Sequence, residues 1–180
     1  YKQEKKVNIK SNTPTFISLK LGINNSRWKG VPFYLRSGKK LAKKASFVYI
    51  KFKDERCIVD NKLSLQSNEL VIQIQPEQDI IIYFNVKKPG LKLEVKKEKL
   101  DFCYQCAFGK NSTDAYEKLI NDVIKKDLSL FTSWEETKNS WLAVDKLLKK
   151  SKVYLYNPGS FGPDESEKLI KKDRREWHNL

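Results

Sequence analysis

The spacing of the apolar residues changes once along this chain, and that change limits the folds the sequence can adopt. Over the first hundred residues, apolar and polar side chains alternate in short segments, which is the period of a β-strand. The predicted strands cover residues 15–23, 31–36, 46–52, 70–75, 80–86, 91–95 and 100–104. Because no helical pattern lies between them and most of the links are short, these strands predict an antiparallel sheet.

From about residue 113 onward, the apolar residues recur three to four positions apart, as in an amphipathic helix. A capping box, Ser-Trp-Glu-Glu at 133–136, marks the start of the second of three predicted helices. The apolar residues of the first helix are Tyr116, Leu119, Ile120, Val123 and Ile124, and Thr113 or Asp114 can cap its start. Those of the second helix are Trp134, Trp141, Val144 and Leu148. The third helix starts at 162–165 and carries Leu169 and Ile170. We expect both tryptophans in the core. The sequence therefore predicts an α+β fold, a large mainly antiparallel β-sheet with C-terminal helices.

The 180 residues suit a single domain, 1–180, and carry a formal net charge of +14, from 36 Lys and Arg against 22 Asp and Glu. Such a charge favours polyanionic partners such as nucleic acid. Most of the cations are lysines scattered along the chain, and few are arginines, which make most bidentate phosphate contacts. The arginines are Arg27, Arg36, Arg56, Arg174 and Arg175. We therefore expect no nucleic-acid partner, and a basic nucleic-acid-binding module is the alternative.

The chain shows no sign of membrane insertion or secretion. No apolar run approaches the roughly 20 residues that span a bilayer, and the first residues are polar rather than a signal peptide. We expect no membrane partner and a cytoplasmic location. The sequence contains no Met, so we expect a fragment that lacks an upstream part.

The cysteines are Cys57, Cys103 and Cys106. An odd number without a secretory signal favours reduced thiols. Cys103 and Cys106 form a CxxC motif, but no second CxxC or nearby histidine completes a zinc set. We expect no metal site, and a small redox or zinc module remains a further alternative.

The residues of a complete active site are missing from the sequence. Neither of the glycine-rich phosphate loops GxGxxG and GxxxxGKS is present. The single histidine, His178, lies two residues from the last residue, so no Ser–His or Cys–His pair is predicted. We expect no catalytic residue in this chain.

One segment concentrates positive charge after a predicted strand. Gly38 permits a sharp turn, and Lys39, Lys40, Lys43 and Lys44 follow within six positions. Ammonium groups on such a loop can bind a phosphate or the hydroxyls of a phosphosugar. Composition alone favours the other interpretation, a solvated basic hairpin loop.

Six segments resemble the C-terminal domain of the glucose-6-phosphate dehydrogenase family, in the order in which the family has them. The longest is WKGVPFYLRSGKKL at 28–41, and DAYEKLINDV at 114–123 is similar to the family's helix motif. The others are TPTF at 13–16, NELVIQIQP at 68–76, KKPG at 87–90 and GSFGP at 159–163. The resemblance covers essentially the whole chain and makes the basic loop a candidate binding site.

The resemblance implies a cytosolic enzyme that oxidises glucose 6-phosphate to 6-phosphoglucono-1,5-lactone with NADP. It also implies that the coenzyme loop and the catalytic histidine belong to an N-terminal Rossmann domain absent from this chain. Within the chain, Lys39 matches the lysine that contacts the sugar hydroxyls, and Lys44 matches the basic residue at the substrate phosphate. The family assembles through the sheet of this domain, so a homodimer or homotetramer is expected.

Some members of the family hold a second, structural NADP in this domain. Arg36 matches one of its ligands. Other positions depart from that pattern: Gln73, Ile81, Tyr83 and Phe161 stand where those members have arginine, tyrosine, lysine and arginine. A dinucleotide phosphate would be poorly neutralised without these cations, so we expect no second NADP.

Overall fold

The structure is a computed structural model that describes residues 5–11, 13–54, 65–109, 115–148 and 152–179. The predicted helix caps Thr113 and Asp114, and Cys57, lie outside these residues. The chain divides into two compact units, one formed by the residues up to Lys44 with those from Leu147 onward, and the other by Ala45–Lys146.

Strands fill the first part of the chain and helices the second, as the change of period predicts. The strands are β1 (Phe16–Gly22), β2 (Pro32–Gly38), β3 (Ser46–Lys51), β4 (Glu69–Gln75), β5 (Asp79–Lys87) and β6 (Val95–Cys103). The helices are α1 (Tyr104–Phe108), α2 (Ala115–Lys125), α3 (Trp134–Leu148) and α4 (Asp164–Lys171). The α+β class is confirmed.

The described strands form two antiparallel sheets rather than one. β1 pairs with β2 along their whole length, and β3, β4, β5 and β6 form a four-stranded sheet in chain order. The strand expected at 91–95 is wrong except for Val95, which begins β6, and the strand expected at 100–104 is the second half of β6, because every residue from Val95 to Cys103 pairs with β5. The polar residues at 96–99 break the apolar alternation, which is why the sequence pattern does not include them in a strand.

The two faces of the four-stranded sheet differ in character. Apolar side chains that share one face across the register include Val48, Ile80, Ile82, Leu100 and Phe102, and these five are 37–59% exposed. The opposite face is more polar, and Val71, 1% exposed, lies on it.

The helix starting at Trp134 has the predicted capping box. The Ser133 hydroxyl accepts a hydrogen bond from the Glu136 N–H (3.1 Å), and the Glu136 carboxylate accepts one from the Ser133 N–H (2.7 Å). This hydrogen bond from the Ser133 backbone lowers the pKa of Glu136. The prediction that the tryptophans lie in the core is wrong, because Trp134 is 79% and Trp141 64% exposed. The helical period identifies an apolar stripe but not what covers it.

α4 packs on β1 in the first unit. Ile170 of α4 is 4% exposed, and the Ser166 and Ser18 hydroxyls are hydrogen bonded at 3.1 Å. The Trp177 indole N–H donates to the Ser166 carbonyl at 3.0 Å, which fixes the chain after the helix. This packing buries Ile170, one of the two apolar residues that predicted the helix.

Two lysines of β6 form ion pairs that differ in burial but not in length, and these pairs predict different effects on stability. Lys97–Glu69 and Lys96–Glu98 both measure 2.6 Å, but the first pair is 19% exposed on both sides and the second 60% and 44%. We expect Lys97→Ala to lower the free energy of unfolding by about 1.5 to 3 kcal/mol, because it leaves a partly buried carboxylate without its charged partner. Lys96→Ala is the control and should cost about 0 to 1 kcal/mol. Equal losses in urea unfolding would contradict this prediction.

Candidate functional site

The lysine loop, residues 38–44, is held by hydrogen bonds to its backbone. The Lys39 N–H donates to the Thr15 carbonyl at 2.9 Å, and the Ala42 N–H donates to the Ser160 carbonyl at 2.9 Å. The Gly159 N–H donates to the Lys40 carbonyl at 2.9 Å, and Lys40 has a φ of 51°. The loop is therefore a fixed turn, whose shape depends on the GSFGP segment at 159–163.

An aromatic pair lies beneath this loop. Phe16 and Tyr156 have ring centroids 5.3 Å apart, and the Tyr156 hydroxyl donates to the Lys39 carbonyl at 2.7 Å. A Cβ at Gly38 would lie 2.7 Å from Phe16 Cδ2, and one at Gly162, which has a φ of 109°, would overlap the same ring. The two glycines therefore allow the Phe16 ring to fit between the two turns.

The side chains of both predicted substrate lysines are exposed. Lys39 and Lys44 lie near the two ends of the loop, and the structure gives neither ammonium group an ion-pair or hydrogen-bond partner among the described residues. Fixed backbone and uncommitted charge together suit an anion-binding loop, because little ordering of the backbone remains to be made when a ligand binds.

Arg36, the possible cofactor ligand, is occupied by contacts within the chain. Its guanidinium donates to the Asn179 side-chain oxygen at 2.6 Å and forms an ion pair with Glu167 at 3.7 Å. It also lies over the Trp177 ring at 4.7 Å and the Phe161 ring at 5.5 Å. Burial lowers the pKa of Arg36.

A cleft of about 760 Å³ lies beside β1 and β2, away from the lysine loop. Its lining includes Lys20, Lys29, Tyr34, Asp173 and Arg175, and neither Lys39 nor Lys44. The Lys20 ammonium lies 2.7 Å from the Asp173 carboxylate, which also accepts a hydrogen bond from the Tyr34 hydroxyl. The hydrogen bond from Lys20 is the main cause that lowers the pKa of Asp173. No pattern in the sequence predicted this cleft.

The residues that position the lysine loop were not predicted from the sequence either. Phe16 and Tyr156 lie within the TPTF segment and next to the GSFGP segment, 140 positions apart in sequence. The only available signal was that both segments match the same family, because spacing alone does not show that they meet.

The structure adds three further observations on chemistry. In the parts of the chain that the structure describes, no three His, Cys, Asp or Glu side chains come together to hold a metal. None of the helices in these parts is long and apolar enough to cross a membrane. Cys103 and Cys106 are joined by a disulfide with a Cα–Cα distance of 5.2 Å, so the prediction of reduced thiols is wrong for this pair.

Comparison with known proteins supports the resemblance seen in the motifs. The family described as glucose-6-phosphate dehydrogenase, C-terminal domain, matches residues 1–178. The chain is 40% identical to the glucose-6-phosphate 1-dehydrogenase of Bacillus subtilis (strain 168), covering 100% of this chain and 38% of that protein. It is 40% identical to the enzyme of the same name from Borreliella burgdorferi, covering 96% and 37%. The chain thus spans less than two fifths of the length of these relatives.

Solved structures show the same similarity. A glucose-6-phosphate dehydrogenase in complex with its substrate glucose-6-phosphate has a TM-score of 0.79 and 31% identity, covering 92% of this chain and 35% of that one. Glucose-6-phosphate 1-dehydrogenase from Mycobacterium avium has a TM-score of 0.80 and 25% identity, covering 99% and 38%. Sequence and fold agree over nearly the whole length, and this chain belongs to the family of glucose-6-phosphate dehydrogenase C-terminal domains.

Proposed function

We propose that the protein containing this chain is a glucose-6-phosphate 1-dehydrogenase of the cytoplasm, which oxidises glucose 6-phosphate to 6-phosphoglucono-1,5-lactone with NADP⁺. The chain supplies part of the substrate site and no catalytic residue. A Rossmann domain upstream of the chain supplies the catalytic base and binds the coenzyme. The two relatives described above are both named glucose-6-phosphate 1-dehydrogenase, and each is more than twice as long as the region that matches this chain.

The observation that carries this proposal is the lysine loop. Its backbone is fixed by Thr15, Tyr156, Gly159 and Ser160, and the ammonium group of Lys44 is exposed on it. A phosphate is a dianion near neutral pH, and an ammonium group carried on a fixed backbone can stabilise it electrostatically. In our proposal Lys44 binds the phosphate and Lys39 binds the sugar hydroxyls.

The chain does not provide a second, structural NADP site in this proposal. The Arg36 guanidinium already contacts Asn179, Glu167 and two aromatic rings. A dinucleotide phosphate at Arg36 would compete with the Glu167 carboxylate, and Gln73 and Phe161 offer it no charge. The residues present therefore do not fit that group.

The four-stranded sheet supplies a subunit contact in a homodimer or homotetramer. Its exposed apolar face, which includes Val48, Ile80 and Phe102, is an aggregation hazard unless another surface covers it. Ile81 and Tyr83, which alternate with the exposed residues along β5, are half-buried, so the contact is assigned to the exposed face rather than to theirs. Sedimentation velocity of the intact protein should give a dimer or tetramer, and a monomer at high concentration would contradict the contact.

A direct assay tests the activity. The intact protein should reduce NADP⁺ when glucose 6-phosphate is added, which is followed by absorbance, whereas the 180-residue chain alone should not. The reason is that hydride transfer needs a bound nicotinamide beside a deprotonating base. NADPH formation by the chain alone, or none by the intact protein, would contradict the proposal.

A further inference from the structure

The disulfide between Cys103 and Cys106 joins the end of the four-stranded sheet to the short helix that follows it. Cys103 is the last residue of β6, and Cys106 is the third residue of α1. The closed segment contains only Tyr104 and Gln105 between the cysteines. A disulfide that closes so short a loop removes less conformational entropy from the unfolded chain than one that joins distant segments. We therefore expect this disulfide to contribute little to the stability of the folded chain.

The pair is accessible to a reacting thiol. Cys106 is exposed and Cys103 half-buried. Exchange begins when a thiolate attacks one sulfur of a disulfide, so an exposed cysteine is the one that is attacked. Exposure therefore assigns the two roles in exchange: the attacking thiolate reaches Cys106, and Cys103 is the leaving group.

The leaving sulfur already accepts a hydrogen bond. The Cys106 N–H donates to Cys103 Sγ at 3.1 Å. The same N–H stabilises the thiolate that forms at Cys103 when the disulfide opens, because a hydrogen bond to an anion is stronger than one to a neutral atom. This contact favours bond cleavage in the direction described above.

A carboxylate lies on the strand beside Cys103. Asp79 is its direct partner in the register of β5 and β6, so the two side chains share one face of the sheet. Oδ1 of Asp79 is buried and has no hydrogen-bond partner among the described residues. A buried carboxylate oxygen without a partner is costly, and a function in proton transfer would explain it.

We propose that Cys103 and Cys106 form a redox-active couple that is reduced by a dithiol through thiol–disulfide exchange. The reductant's thiolate bonds to Cys106 Sγ, and the Cys103–Cys106 bond breaks to leave the Cys103 thiolate. The second thiol of the reductant then displaces Cys106 and closes the reductant's own disulfide. The couple gains two electrons and two protons, the dithiol loses the same, and Asp79 passes a proton to or from Cys103.

A redox titration of the intact protein tests this proposal. The protein is equilibrated without denaturant in mixtures of reduced and oxidised dithiothreitol, quenched in acid and labelled with N-ethylmaleimide, and the peptide that contains both cysteines is weighed by mass spectrometry. We expect one transition between a form without label and a form with two labels, reached from both directions. A peptide that carries two labels in every mixture, or none until the protein is denatured, would overturn the proposal.

Single variants separate the roles of the three residues. In Cys103→Ser and Cys106→Ser the transition should disappear, and the remaining cysteine of the pair should carry a label in every mixture. When the same labelling is done at successive times after reduced dithiothreitol is added, Asp79→Asn should slow reduction by about tenfold or more, because proton transfer is removed. Asp101→Asn is the matched control, since Asp101 lies on the same strand as Cys103 but is exposed. Equal rates for the two Asp variants would overturn the role of Asp79.

Discussion

Lys44→Ala in the intact enzyme is expected to raise KM for glucose 6-phosphate and to change kcat little. A point charge at the phosphate stabilises the bound substrate and the transition state alike, because the phosphate does not react. Loss of one charge-assisted contact corresponds to roughly 1.5 to 3 kcal/mol, which is about one to two decades in kcat/KM. Steady-state kinetics at varied substrate concentration measure both constants.

Lys39→Ala should behave differently, because in our proposal Lys39 binds the sugar hydroxyls rather than the phosphate. We expect a lower kcat as well as a higher KM, since a misoriented sugar reacts more slowly. Lys40→Ala and Lys43→Ala are the controls in the same loop and should change kcat/KM little. If both controls lowered kcat/KM as much as Lys39→Ala and Lys44→Ala, the loop would act by diffuse charge and the two assignments would be wrong.

Gly162→Ala is expected to lower the free energy of unfolding by about 2 to 4 kcal/mol, from overpacking and backbone strain together. The new Cβ overlaps the Phe16 ring, and the φ of 109° is one that L-residues rarely adopt. The change should also raise KM, because the neighbouring Ser160 carbonyl accepts the hydrogen bond that holds Ala42. Urea unfolding and steady-state kinetics on the same variant measure both effects.

Gly22→Ala is the matched control for this change. Gly22 has no positive φ, and a Cβ there meets nothing within 4 Å. We expect its unfolding free energy to change by less than about 1 kcal/mol. If both variants lost the same stability, the Phe16 contact would not explain the glycine at 162.

The local features of this fold were predictable where short-range physics decides them. Strands β1 to β5 follow from alternation, and the capping box at Ser133 follows from two hydrogen bonds within four residues. The middle of β6 was missed because its three lysines and Glu98 hide the period, although pairing with β5 makes Val95–Cys103 one strand. Periodicity therefore located the elements but not every boundary.

Burial and long-range contacts were less predictable. The apolar stripe of α3 suggested buried tryptophans, but burial depends on a partner surface that periodicity does not reveal. The Cys103–Cys106 disulfide depends on the turn into α1, a five-residue helix too short for a periodic signal.

The candidate site was predictable only in part. Lys39 and Lys44 were assigned through the family resemblance, since composition alone favoured a solvated loop. The contacts of Tyr156 with the carbonyls of Thr15 and Lys39 join segments far apart in sequence. Such contacts follow from the tertiary fold, which a single sequence does not provide.

The central claim, that Lys44 binds the substrate phosphate, is tested most directly by comparing two substrates on two proteins. The measurement is kcat/KM of the intact enzyme and of its Lys44→Ala variant, with glucose 6-phosphate and with glucose, which lacks the phosphate. We predict that the substitution lowers kcat/KM for glucose 6-phosphate by about ten- to a hundredfold and leaves the value for glucose within about twofold. An equal loss with both substrates would contradict the claim, because Lys44 would then act on something other than the phosphate.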